Sequence, residues 1–170
     1  MSMNKGIFLL DANAFIEPYK KFYTFTIAPG FWDFLKNEIE TGKVALLDVV
    51  AKEISKGKDD LAAWMDTHTA TVIDRRSPDI LASYGKILTH IQTSGNYTER
   101  ALTTWAGDIA DPWIIATALA RKYTIVTFEQ PNSSLGTSLT SRPKIPDVCR
   151  TFGVDYVNLY QFMNIRHFSF

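Results

Sequence analysis

Ile7-Phe8-Leu9-Leu10 is an unbroken apolar run that stops at Asp11. A short run without alternation suits a strand buried on both faces, as in a parallel sheet. Between Pro29 and Thr41, Phe31, Phe34, Leu35 and Ile39 recur at helical spacing, and Gly42 supplies the stop. Val44 to Leu47 reads as a second buried strand, and Asp48 as the N-cap of a helix to about Ser55. A helix from about Asp59 to Thr67 is expected next, then a short strand at 71–73 and a helix opened by Pro78 that runs to about Gln92. Thr93-Ser94-Gly95-Asn96 is a polar turn, and a short helix spans Thr98 to Trp105.

Asp111-Pro112-Trp113 is a strong helix start, with Asp at the cap and Pro at the first helical position. Ile114, Ile115, Ala118 and Leu119 form its apolar face, and Arg121-Lys122 suit its negative end. Tyr123 to Phe128 is another strand, residues 131–143 form a Ser/Gly-rich loop expected to be mobile, and a helix over 145–152 precedes a final strand and helix. This alternation predicts an α/β sandwich with a mainly parallel sheet, a single domain over residues 1–170.

Charge and composition narrow the partners. Eighteen Lys+Arg balance eighteen Asp+Glu in 170 residues, which argues against a wholly basic nucleic-acid wrapper and against an acidic disordered tail. Cys149 is the only cysteine, so neither an internal disulfide nor a Cys-rich zinc site is available. His68, His90 and His167 lack ligand spacing. The apolar run before Asp11 is too short for a signal segment or a membrane span, so a soluble, cytoplasmic protein with no membrane association is expected. Neither a P-loop nor a glycine-rich dinucleotide loop is present.

The acidic residues carry the candidate chemistry. Asp11 ends the first strand, Glu53 lies about a turn into the helix after the second, Asp111 begins a helix, and Glu129 follows the next strand. From Asp111 the helix descends roughly 16 Å and the strand returns about as far, so Asp111 and Glu129 finish on one edge. Parallel connections bring every strand's carboxyl end to that edge, where open α/β sheets bind ligands. Converging carboxylates repel by about 1 kcal/mol per pair at ~4 Å in water and about 4 at an effective dielectric of 20. Protonation or a cation must offset this, and oxygen-only ligands select Mg²⁺ or Mn²⁺. Such ions support water activation and displacement at phosphorus, which points to phosphoryl transfer or hydrolysis.

Leu9-Leu10-Asp11-Ala12-Asn13, Glu53 after Val49-Val50, the stretch Ala110-Asp111-Pro112-Trp113-Ile114-Ile115-Ala116-Thr117-Ala118, and Ile125-Val126-Thr127-Phe128-Glu129 together resemble the PIN-domain nucleases. The resemblance runs in order over roughly residues 5 to 160 and extends to a less characterised PIN-like subfamily through the tail from Lys144 to Cys149 and Gly153-Val154. It implies a PIN-like three-layer α/β/α sandwich and a metal-dependent endoribonuclease using Mg²⁺ or Mn²⁺. Asp11, Glu53, Asp111 and Glu129 would be its catalytic and metal-binding residues. It also implies the toxin of a prokaryotic type II toxin–antitoxin pair of the VapC type, with an antitoxin partner, an RNA substrate and a homodimeric state. Asn13 and Thr127 match accessory polar positions of the pattern, and Glu129 stands where the family usually has Asp.

Each residue also has a plainer reading. Asp111 is a helix cap in its own right, and Glu53 alone reads as a surface residue. Asp108, one turn before Asp111, is either an accessory ligand or a solvated side chain. Lys52, Lys56 and Lys58 flank Glu53 and either contact RNA phosphates or form a solvated face. Tyr19-Lys20-Lys21 and Arg75-Arg76 are weaker candidates for the same phosphate contact and read mostly as surface, and Trp32, Trp105 and Trp113 read as core rather than base-stacking residues. Ala12 and Asn13 read as the start of a site loop. An aspartate-nucleophile phosphatase is disfavoured because Asn13 occupies the place of its second Asp. A catalytically degenerate PIN-like module that binds RNA or protein is the alternative.

Overall fold

The computed structural model describes residues 6–170; the first five, which enter the expectations about the N-terminus and the 1–170 domain, lie outside the described residues. The apolar run forms strand β1 (Phe8–Leu10), with all three residues buried. It is flanked by β2 (Val44–Ala45) and β3 (Thr124–Val126), and β4 (Tyr156–Val157) joins beyond β3. Every pairing is parallel, in the order β2-β1-β3-β4, with Phe8 opposite both Val44 and Thr124 and Leu10 opposite Val126. The fully apolar strand at the centre is the pattern of a sheet covered on both sides.

Helix α1 (Ala12–Lys21) begins directly after Asp11. The site loop expected at Ala12 and Asn13 is therefore a helix, which buries Ala14, Phe15 and Pro18. Helix α2 (Pro29–Glu40) opens with proline and buries Phe31, Trp32, Leu35 and Ile39. Helix α3 (Asp48–Ser55) follows β2, with Leu47 rather than Asp48 at its cap; Asp48 is its first residue and accepts a 2.7 Å bond from the Val49 N–H. Helix α4 (Asp60–Asp66) is capped by the Asp59 carboxylate, which accepts from the Ala62 N–H. The strand expected at 71–73 is reduced to one parallel bridge, Leu47 to Ile73, because Thr69–Thr71 close a tight 3-10 turn.

Helices α5 (Pro78–Thr93), α6 (Glu99–Trp105) and α7 (Asp111–Arg121) come next, and α5 packs along α7. Helix α8 (Ile145–Phe152) precedes β4, and α9 (Leu159–Ile165) follows it behind an Asn158 capping box. Contacts divide most helices into two groups, one through α1, α3 and α4 and one through α5 to α8, headed by α1 on β1 and α7 on β3. The segment 131–143, expected as a loop, has no long regular element but is anchored by a Tyr97–Thr140 bridge and by the Asn132 N–H on the Asp147 carboxylate. Trp32 and Trp105 are buried as expected, as is Cys149, whose thiol burial and the Glu129 charge push up to about 12. Among the described residues no helix is long and apolar enough to cross a membrane.

Candidate active site

Asp11 sits where β1 ends, its N–H still in the ladder to the Val126 carbonyl at 2.9 Å. Its backbone is extended (φ −64°, ψ 152°) and it occupies the cap position of α1, yet its side chain makes no capping bond. The carboxylate instead accepts from the Thr127 hydroxyl at 3.1 Å, across the junction of β1 and β3. Only 4% of Asp11 is exposed, and burial raises its carboxyl to about 6 despite the Thr127 bond, with Glu129 and Glu53 pushing the same way.

Asp111 is the first residue of α7; Ala110 holds the cap position and Pro112 follows inside the helix. The cap expected at Asp111 is thus displaced by one residue. Its carboxylate stays at the positive helix end, a favourable place for an anion. It accepts no hydrogen bond among the described residues, and burial lifts it to about 7, with Asp11, then Glu129, then Glu53 adding to the rise and Lys144 opposing it. Glu53 lies on the solvent side of α3, and partial desolvation raises its carboxyl as well. The topology thus brings the other three carboxylates within electrostatic reach of Asp111.

Glu129 is placed differently. Its carboxylate accepts from the Ile145 N–H at 2.8 Å, at the start of α8, and pairs with Lys144 at 3.4 Å. Its own N–H donates to the Thr127 hydroxyl oxygen at 3.1 Å, so one threonine ties Asp11 to the Glu129 backbone. Lys144 is the residue that sequence reading missed. The available signal was its position just before Ile145-Pro146, the opening of a helix that starts at the same edge.

A cavity of about 390 Å³ opens beside these groups, lined by Lys52, Glu53, Lys56, Asp108 and Asp111 among others. Lys58 is exposed beyond the turn that follows α3, and Asn13 is exposed on the outer side of α1. Asp108 is exposed and pairs with Arg75 at 3.2 Å and with Lys52 at 3.9 Å. A larger cavity of about 560 Å³ lies at the opposite edge, lined by Ile7, His68, Arg121 and Tyr123 among others, and holds none of the four carboxylates.

Among the described residues no three His, Cys, Asp or Glu side chains are arranged as a group able to hold a metal ion. Repulsion among uncompensated carboxylates opposes such clustering, and Glu129 is drawn towards α8. The donor chemistry nevertheless fits a hard cation: Asp11 and Asp111 are oxygen donors at helix starts, both raised in proton affinity chiefly by desolvation, with Glu129 and Glu53 adding to Asp11 and with Asp11, Glu129 and Glu53 adding to Asp111.

No curated protein matches the chain significantly. A solved structure, that of VapBC2 from Rickettsia felis bound to a DNA fragment from their promoter, contains a chain similar to this one at 17% identity and a TM-score of 0.56. The match covers 89% of this chain and 98% of that one. It shows the PIN-like α/β fold that the ordered motifs resemble. Residues 8–170 match the family model described as Domain of unknown function (DUF4411), and the chain belongs to that family.

Proposed function

We propose that the chain is a metal-dependent endoribonuclease that hydrolyses RNA phosphodiester bonds. In this reading Asp11, Glu53 and Asp111 hold Mg²⁺ or Mn²⁺, and Glu129 closes the site through Lys144 and the start of α8. The observation that carries it is that Asp11 is buried and Asp111 half-buried at two helix starts on one sheet edge, both carboxyls raised chiefly by desolvation and that of Asp111 further by the charge of Asp11. Such an arrangement is costly unless a cation takes up the charge. A bound Mg²⁺ or Mn²⁺ would supply water activation and charge stabilisation at the phosphate. Thr127 fixes the Asp11 carboxylate by its 3.1 Å bond, and Lys52 and Lys56 line the approach.

The test is cleavage of single-stranded RNA with added Mn²⁺. Asp11→Asn and Asp111→Asn are expected to lower the rate at least about 100-fold, with circular dichroism unchanged. Equal rates in both variants would end this reading.

The type II toxin role with an antitoxin partner, and homodimerisation, belong to the same proposal; the solved neighbour is a VapBC2 complex on promoter DNA. A second reading, a degenerate module that binds without cutting, draws on the capture of Glu129 by Ile145 and Lys144. Calorimetric titration with Mn²⁺ separates the two. Heat that disappears in Asp111→Asn supports the nuclease, and no heat in the native chain supports the module.

A further inference from the structure

Asp108 is engaged by cations rather than by the other carboxylates. It accepts from Arg75 at 3.2 Å and pairs with Lys52 at 3.9 Å. Lys52 belongs both to the cavity that contains Glu53 and Asp111 and to a second, adjoining cavity of about 410 Å³ lined by Asp48, Asp74, Arg75 and Arg76 among others. The two cavities share Val49 and Lys52; Glu53, Asp108 and Asp111 outweigh the lysines in the first, and Lys52, Arg75 and Arg76 outweigh Asp48 and Asp74 in the second. Among the described residues Arg76 forms no ion pair.

Arg75 is held in place with unusual care for a loop residue. Its side chain is only 15% exposed, and its guanidinium lies 5.4 Å from the Trp113 ring centre. Trp113 in turn stacks on Tyr84, with ring centres 3.7 Å apart and planes at 6°. Asp48 approaches the guanidinium at 4.0 Å, but its other oxygen is committed to the Val49 N–H. Asp108 is the exposed counter-charge: its side chain is 59% exposed and it sits in the turn between α6 and α7. Exposed ion pairs of this kind are weak, whereas a phosphate offers the planar Arg fork two acceptor oxygens at once.

We propose that Arg75 and Lys52 form a phosphate-binding subsite for single-stranded RNA next to the carboxylates, and that Asp108 masks it until a backbone phosphate takes its place. The proposal rests on the ribonuclease reading for its substrate. It assigns Asp108 the part of a mask, not of an accessory metal ligand, and makes Arg75 a substrate-binding residue instead of a surface charge.

The test is anisotropy of a labelled 2′-O-methyl oligoribonucleotide, titrated in EDTA over a range of salt. Asp108→Asn is expected to bind about threefold more tightly than the native chain. Arg75→Gln should bind about tenfold more weakly and lower the salt slope by about one. Lys52→Gln, at an exposed position that does not threaten folding, should weaken binding about threefold. In the Asp108→Asn/Arg75→Gln double variant the gain should vanish. Unchanged or weaker binding by Asp108→Asn overturns the proposal, as does a gain that survives loss of Arg75. A gain seen with polyglutamate and not with RNA also overturns it, in favour of an acidic protein partner. Because no cleavage occurs in this assay, failure of the nuclease reading registers separately, as unchanged RNA hydrolysis in Asp111→Asn.

Discussion

The carboxyl edge of the sheet has two unlike halves. On one side Asp11 is buried and Asp111 half-buried with little compensation: the Thr127 hydroxyl and the Ala12 N–H for Asp11, and no hydrogen bond for Asp111 among the described residues. On the other side Glu129 has a backbone N–H at 2.8 Å and an ammonium at 3.4 Å. All three sit at helix starts, those of α1, α7 and α8, so helix polarity alone does not distinguish them. Local partners do. A compensated carboxylate has little to gain from a cation, and an uncompensated one has much. The lesson is that four acidic residues in the right order need not have four equal tasks.

Cleavage offers the largest separation of the two halves. Asp111→Asn should cost at least about 100-fold in RNA hydrolysis, and Glu129→Gln no more than about tenfold, because Gln keeps an acceptor for the Ile145 N–H. Equal losses would erase the distinction between them.

Next in size is the pH dependence of stability without divalent ions. The folded chain holds protons on Asp11 to about pH 6 and on Asp111 to about pH 7, against 3.8 for an ordinary aspartate. Between those values the folded state binds more protons than the unfolded one, so stability falls as pH rises from about 4 to 7. The loss should reach several kcal/mol in urea titrations in EDTA, be smaller in Asp111→Asn, and be reversed by Mg²⁺. A flat profile would mean that the aspartates are compensated after all.

The smallest expected effect is at Thr127, which joins the halves. Thr127→Val removes the bond to Asp11 and the acceptor for the Glu129 N–H, and should cost about 1 kcal/mol in denaturant stability with cleavage lowered less than tenfold. A larger catalytic loss would show that Asp11 needs this hydroxyl for its orientation.

Much of this edge was legible from local patterns. An apolar run ending at Asp11 and an Asp-Pro helix start are short-range signals, and the descent of α7 followed by the return of β3 is simple arithmetic in rise per residue. Helix α1 was not legible as a helix, because Pro18 within it reads as a breaker, while its fit depends on burying Ala14, Phe15 and Pro18 together. Asp48 and Asp111 were each read as caps and each proves to be the first helical residue, a shift of one that composition does not resolve. Lys144 escaped notice because its partner lies 15 residues back across an irregular segment. Arg75 read as surface because Asp108, 33 residues away, and the Trp113 ring meet it only once α3, α6 and α7 have packed. Pairings of that range are properties of the fold and not of any window of sequence.

The hydroxyl that steadies Asp11 belongs to a residue 116 positions further along the chain. β1 must likewise wait for β3 as its neighbour, since parallel partners cannot be supplied by a nearby hairpin. During synthesis the first acidic residue therefore leaves the ribosome long before its setting exists. Whatever chemistry this edge performs is withheld from a growing polypeptide until most of the message has been translated.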